Sequence, residues 1–313
     1  MAGWEHYALA ASVDEALGLL ARWGGQARVI AGGTDLIIDL VEGRQHARCL
    51  VDVARIPRMR GVAAGADGGL AIGAATPHAE AAASDLIRRQ ATVLAEAAAS
   101  VGSPQIRNQG TVGGNLVSAQ PAADTAVALA ALDATVEMAG PSPGQRRTVS
   151  WADLYTGKVG QSRVDSTKEL VTTIFLAPGA AGTGSSFQRL ARRLALALPI
   201  LNCAVVLGVE SGRIAWGRIA LGPVAATPFR CAKAENVLRG LAAGDEAGLR
   251  RVAAAVAAEV SPRDSRLRGS AAYRREVAGN LAYRGLQVAL ERSRQAVSQA
   301  EGREHRKAVK RDD

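Results

Sequence analysis

The chain has 313 residues, 48% of them hydrophobic and 21% charged, and 38 Lys and Arg against 29 Asp and Glu give it a formal charge of +9. That length exceeds one ordinary domain and leaves room for two or three cores. The positive charge invites a nucleic-acid partner, but it is scattered and comes with no zinc-finger spacing, RNP-like aromatic strand or basic recognition helix, so no nucleic acid is expected and the surplus reads as solvated surface plus a basic tail.

In chain order, Ser12-Val13-Asp14-Glu15 is a capping box opening a helix over 13–23, whose apolar face includes Leu17 and Leu20. Gly24-Gly25 ends it. A strand from Ala27 to Ala31 then runs into the turn Gly32-Gly33-Thr34, with Thr34 placed to cap a helix from Asp35 to about Glu42. Cys49–Val53 and Leu70–Gly73 read as strands, Thr76-Pro77 opens a short helix, and Asp85–Ser100 reads as one alanine-rich helix. After a second glycine turn, Asp124 is placed to cap a helix over 125–132, and strands follow at 134–138, 147–150 and 170–176. Pro178–Gly184 reads as a linker. Strands at 198–209 and 213–221 flank the hairpin signal Glu210-Ser211-Gly212, and three helices follow at 232–238, 246–259 and 271–300. Residues past Gln299 are polar and mixed in charge, which predicts a disordered tail over 300–313.

The chemistry concentrates in two turns, Ile30-Ala31-Gly32-Gly33-Thr34-Asp35-Leu36 and Thr111-Val112-Gly113-Gly114-Asn115. Adjacent glycines admit positive φ and let successive N–H groups approach an anion closely, which suggests two halves of one phosphate cradle. Neither turn has the Rossmann or P-loop spacing. The cysteines Cys49, Cys203 and Cys231 lie far apart, so they suit small buried hydrophobes and not a zinc or iron–sulfur site. With that odd count, no basic-then-apolar leader and no bilayer-length apolar run, a cytoplasmic protein without a transmembrane segment is expected. His78 is read as structural, and no Ser/His/Asp order, carboxylate pair or metal-ligand set is present to assign as catalytic.

The two turns, together with Val51-Asp52-Val53-Ala54-Arg55-Ile56-Pro57, Ile72-Gly73-Ala74-Ala75-Thr76-Pro77-His78 and Ser103-Pro104-Gln105-Ile106-Arg107-Asn108, resemble the FAD-binding medium subunits of the molybdenum hydroxylases, the xanthine dehydrogenase and carbon monoxide dehydrogenase family. The resemblance implies an α+β fold: a flavin-binding domain of p-cresol methylhydroxylase type in two α/β subdomains, 1–57 and 58–178, then a small α+β C-terminal domain over 185–291. It implies FAD on this chain, with Val29 to Leu36 (Val29, Ile30, Ala31, Gly32, Gly33, Thr34, Asp35, Leu36) and Thr111, Val112, Gly113, Gly114 and Asn115 meeting the pyrophosphate. Asp124 matches an acidic residue that anchors the cofactor on its adenosine-ribose side, and Val101 and Leu170 match positions lining the adenine and flavin surroundings. Many relatives place a lysine near Phe187; here Gln188-Arg189 stands there, leaving Arg189 as the candidate positive charge near the flavin. The expected function is electron transfer from a [2Fe-2S] subunit through FAD to an external acceptor. The implied partners are a large subunit with the molybdenum pterin and a small [2Fe-2S] subunit, assembled as a dimer of heterotrimers.

Two other readings stand beside it. A free-standing flavin oxidoreductase of the same fold would need its own substrate cap, for which little chain remains after Gly184. A basic scaffold protein that has lost its cofactor would have no use for intact Gly32-Gly33 and Gly113-Gly114-Asn115.

Overall fold

The computed structural model describes residues 3–309 except 181 and 194, with side chains through residue 298. The chain opens with β1 (His6–Leu9), α1 (Val13–Arg22), β2 (Ala27–Ile30), α2 (Leu36–Val41) and β3 (Cys49–Asp52). β3 lies between the other two strands and both pairings are parallel. All four residues of β3 are buried, as a central parallel strand requires. Ser12 Oγ accepts the Glu15 N–H at 3.1 Å and fixes the start of α1.

A second sheet, ordered β4-β5-β8-β6-β7 and antiparallel throughout, comprises β4 (Val62–Ala64), β5 (Leu70–Gly73), β6 (Thr135–Ala139), β7 (Arg146–Ser150) and β8 (Leu170–Leu176). The chain between β5 and β6 folds into six helices: α3 (His78–Ala83), α4 (Asp85–Gln90), α5 (Thr92–Ser100), α6 (Pro104–Gln109), α7 (Val112–Val117) and α8 (Asp124–Ala131). Every residue of α8 is buried. Alanine makes that possible, because a helix of small side chains packs closely on all sides at no cost in helix propensity.

A third sheet, ordered β12-β11-β10-β9, holds β9 (Thr183–Leu190), β10 (Leu201–Glu210), β11 (Arg213–Gly222) and β12 (Phe229–Arg230), all antiparallel. Ser211 and Gly212 both take positive φ, 47° and 73°, which matches the right-handed twist of the hairpin they close. α9 (Ala232–Leu238), α10 (Glu246–Glu259) and α11 (Ala271–Val309) follow, with α10 and α11 packed together and α11 laid across β9 and β10.

Several sequence expectations change. The helix over 85–100 is two helices, broken at Ala91 (φ −142°, ψ 51°), and the break lets the Val93 N–H donate to Ser185 Oγ of β9 at 3.2 Å. Thr34 does not cap α2; Asp35 holds the N-cap position and makes no capping bond. Asp124 is the first residue of α8 and not its cap, because its carboxylate turns toward the third sheet, and Asn115 Oδ1 accepts the Thr125 Oγ–H at 2.6 Å and the Ala126 N–H at 3.2 Å in its stead. Thr183 and Gly184 belong to β9 and not to a linker. The helical backbone of α11 runs past Gln299 to Val309, and residues 310–313 of the expected disordered tail lie outside the described residues.

Gly184 explains the close docking of α11. A Cβ there would sit 1.9 Å from Ala289 O and 2.7 Å from Ser293 N, both in the helix backbone. Gly184→Val should therefore destabilise the protein by about 3 kcal/mol, the upper range for an overpacked core, read as a lowered midpoint in thermal or denaturant unfolding. An unchanged midpoint would mean that α11 can lift from the sheet freely.

Candidate functional site

The two glycine turns meet backbone to backbone. A Cβ on Gly32 would lie 2.1 Å from Gln109 O and 2.8 Å from Gly110 Cα, so only glycine lets the first turn rest on the end of α6. Gly33 takes φ +68° with the side chains of Ile30 and Ile37 beneath it. Among the described residues no acceptor takes the backbone N–H groups of Ala31, Gly32, Gly33, Thr34 or Asp35. Five successive free amides on a turn held from behind form a donor array for an anion. α2, at six residues, adds little field of its own.

The second expected glycine turn is instead the start of α7: Thr111 is the N-cap and Gly113 and Gly114 lie in the helix, neither with a positive φ. Val112 N–H donates to Thr76 O at 3.0 Å, Gly113 N–H to Ala74 O at 2.9 Å, Gly114 N–H to Thr111 Oγ1 at 3.0 Å and Asn115 N–H to Thr111 O at 2.9 Å. The amides from Val112 to Asn115 are thus paired, and the glycines serve approach: a Cβ on Gly113 would meet Ala74 Cβ and O at 2.6 Å, whereas one on Gly114 would meet only Thr111 Oγ1 within 4 Å. The open side of Gly114 is a surface on which a ligand can lie. Of the second motif, Asn115 is committed to α8.

His78, passed over as structural, sits between the turns. Its N–H donates to Gly110 O at 2.9 Å, and Gly110 is pressed between the His78 ring and Thr34 Oγ1. The ring is 2% exposed with Nδ1 unpartnered. Burial, then the positive charge of Arg107, pushes its pKa down to about 4, so the imidazole is neutral near pH 7. The sequence signal was its place in Ala74-Ala75-Thr76-Pro77-His78, since the carbonyls of Ala74 and Thr76 hold the second turn.

The remaining expected residues fall into two places. Asp124, 5% exposed, accepts Asn202 Nδ2 at 2.6 Å and lies 3.3 Å from Arg189 Nε. Arg189 Nη2 donates to Ala197 O, and Val101, half-buried at the end of α5, accepts from Arg107 Nη1 at 3.0 Å. Asn202 was not singled out, because a buried asparagine inside the apolar strand β10 carries no local motif. Leu170 is 2% exposed at the start of β8, paired with Ala139 in the sheet, and is not gathered with the others. All three cysteines are buried thiols, and burial raises the pKa of each. Among the described residues no group of His, Cys, Asp and Glu could hold a metal ion, and no helix is long and apolar enough to cross a membrane.

Burial pushes the Asp124 pKa from 3.8 up to about 6 against the lowering pull of Arg189 and Asn202. A carboxyl raised in the fold stabilises fully below its unfolded pKa, and that contribution is lost as pH climbs through the folded value. Between about pH 4 and 7 the wild type should therefore lose up to about 3 kcal/mol relative to Asp124→Asn. His78 acts with the opposite sign in both proteins and cancels in the difference. Denaturant unfolding across this range is the measurement, and parallel curves would mean that Asp124 ionises as it does in water.

The donor array and the side-chain-free surface at Gly114 have the chemistry to take a phosphate anion. The profile described as "FAD binding domain in molybdopterin dehydrogenase" matches residues 3–178, and the "CO dehydrogenase flavoprotein C-terminal domain" matches 185–289. The chain is 35% identical over 292 residues to the 6-hydroxypseudooxynicotine dehydrogenase complex subunit alpha of Paenarthrobacter nicotinovorans, covering 92% of this chain and 95% of that one. It is 32% identical over 259 residues to the xanthine dehydrogenase FAD-binding subunit of Escherichia coli O157:H7, covering 83% and 87%. A solved carbon monoxide dehydrogenase of Hydrogenophaga pseudoflava superposes with a TM-score of 0.85 at 31% identity, covering 93% of this chain and 99% of that one. The chain thus belongs to the FAD-binding medium subunits of the xanthine dehydrogenase and carbon monoxide dehydrogenase family.

Proposed function

We propose that this chain binds FAD across the two glycine turns and passes electrons from a [2Fe-2S] subunit to an external acceptor, as the flavin subunit of a molybdenum hydroxylase. The observation that carries the reading is the run of five free amides from Ala31 to Asp35 on a turn that Gly32 seats against Gln109 and Gly110. In that reading the first turn donates to the pyrophosphate and the Gly114 face lets the dinucleotide lie flat against the second. His78, neutral and buried, keeps positive charge out of the seam between the turns. Asp124 and Arg189 hold the start of α8 against the third sheet, and a ribose hydroxyl can replace one of their mutual bonds. FAD, when bound, supplies acceptance of electrons singly and their release in pairs.

The proposed partners are a large subunit carrying the molybdenum pterin and a small [2Fe-2S] subunit, in a dimer of heterotrimers. Support comes from relatives whose names make them parts of assemblies, such as a "complex subunit alpha" and a carbon monoxide dehydrogenase "medium chain". The chain's three cysteines are buried free thiols and no group able to hold a metal ion forms among the described residues, so the reading places the clusters on partners.

Gly32→Val should weaken FAD binding at least 100-fold, because its side chain would overlap the Gln109 carbonyl and displace the amide run. Flavin released on denaturation is the readout, with a near-wild-type circular dichroism spectrum as the control for folding. Full flavin content in a folded variant would put the cradle elsewhere. The purified chain alone should bind FAD and hydroxylate no aromatic or heterocyclic substrate until molybdenum and [2Fe-2S] subunits are added. Substrate-dependent bleaching of the flavin in the metal-free single chain would favour a free-standing flavoenzyme.

A further inference from the structure

A second cavity of ≈ 450 Å³ opens where the loop before α11 folds back over the end of β11. Three arginines line it: Arg263, Arg268 and Arg274. Arg274, in the first turn of α11, is 3% exposed. Its Nη1 donates to Arg263 O at 2.9 Å and its Nη2 to Pro223 O, but its Nε is buried with no partner. Arg268 Nε donates to Pro199 O at 3.2 Å. Among the described residues these guanidinium groups bond only to backbone carbonyls and form no ion pair. Asp264 also lines the cavity, and its Oδ1 accepts the Ala271 N–H at 2.6 Å.

Buried cations are normally paired, since desolvating an unpaired charge is expensive. Arg274 is such a cation, and half-buried Arg268 and exposed Arg263 line the same cavity, none of them in an ion pair among the described residues. Burial, then the charges of Arg268 and Arg263, lower the Arg274 pKa. The positive end of α11 adds to the same field. Val159, Pro223 and Val224 supply apolar lining to the same cavity. The volume lies in the range of about 300–1,000 Å³ usual for small-molecule pockets, which leaves room for an organic residue beside an oxyanion.

We propose that this cavity is a binding site for a phosphate group, held by Arg263 and Arg268 with the charge of buried Arg274 adding to their field, and with the apolar lining taking the organic part of a phosphomonoester. Guanidinium forks match the oxygens of a phosphate in pairs. The site is separate from the flavin cradle, and no residue of the two turns lines it.

The test uses the flavin-loaded protein at constant ionic strength, with chloride as the balancing anion. Inorganic phosphate and glycerol 3-phosphate should each raise the melting midpoint saturably and give a titration heat. Tighter binding of the ester would assign the apolar wall to the organic part, and equal binding would leave the site to phosphate itself; both support the site. The Arg263→Met, Arg268→Met double variant, which keeps the more deeply buried Arg274, should bind phosphate at least tenfold more weakly with its flavin content unchanged. The proposal is overturned if the wild type shows no saturable response, if chloride alone reproduces it, or if the folded double variant binds phosphate as the wild type does.

Discussion

At Gly32 the main chain of one turn lies against the main chain of another, with the Gln109 carbonyl where any other residue would carry its Cβ. Gly113 makes the same kind of approach to Ala74 on the far side of the second turn. These contacts pin β2, β5, α6 and α7 to one another without an intervening side chain. The first turn is thereby supported from behind while its amides face outward. Unpaired amides are costly once water is excluded, so the fold holds ready an array that a bound anion completes with little reorganisation.

The third sheet is tied to the flavin-binding region by polar bonds as well as packing. Val93 N–H bonds Ser185 Oγ, Glu96 pairs with Arg292 of α11, and Asp124 accepts from Asn202 and lies against Arg189. A buried ion pair such as Asp124–Arg189 seldom adds net stability, because desolvation offsets the attraction, and the part-exposed Glu96–Arg292 pair adds little more. What they fix is alignment. α5 and α8 each present one acidic side chain to the third unit, at Glu96 and Asp124, and a slip of either helix along the sheet would strand a charge.

Much of the fold was legible in the sequence where a local rule decides the outcome. The Ser12 cap, the first glycine turn, the Ser211-Gly212 hairpin and α9 and α10 rest on such rules, and the family follows from the motifs around the glycine pairs; the full capping box does not form, because Glu15 Oε2 accepts the Ala11 N–H and not that of Ser12. Misreadings arose where distant residues decide. Nothing local in Asp85–Ser100 announces a break at Ala91, since the Ser185 hydroxyl that the break serves comes 92 residues after Val93. Asp124 has the right chemistry for a cap, yet Asn115 takes that role and Arg189 and Asn202, brought near by folding, claim its carboxylate, while at α2 the cap position falls to Asp35, one residue after Thr34. β1 and β9 were missed because His6–Leu9 is short and Gly184 and Ser185 resemble linker residues; their strand state comes from β3 and β10 alongside. The pairing of amides in the second turn was equally hidden, because the acceptors on Ala74 and Thr76 are backbone atoms and carry no signature.

α8 has no face toward solvent. On an ordinary surface helix about half the positions accept most substitutions, and mutations there accumulate harmlessly over evolutionary time. In α8 a larger side chain at any of Ala126, Ala128, Ala130 or Ala131 has to displace a neighbour, and a smaller one can only be glycine, which weakens the helix itself. The alanine-rich segment from 126 to 131 is therefore one whose four alanines are closed to sequence drift in both directions. A comparison of distant relatives should find their differences crowded onto the loops and outer strands, leaving this apparently featureless stretch among the slowest to change.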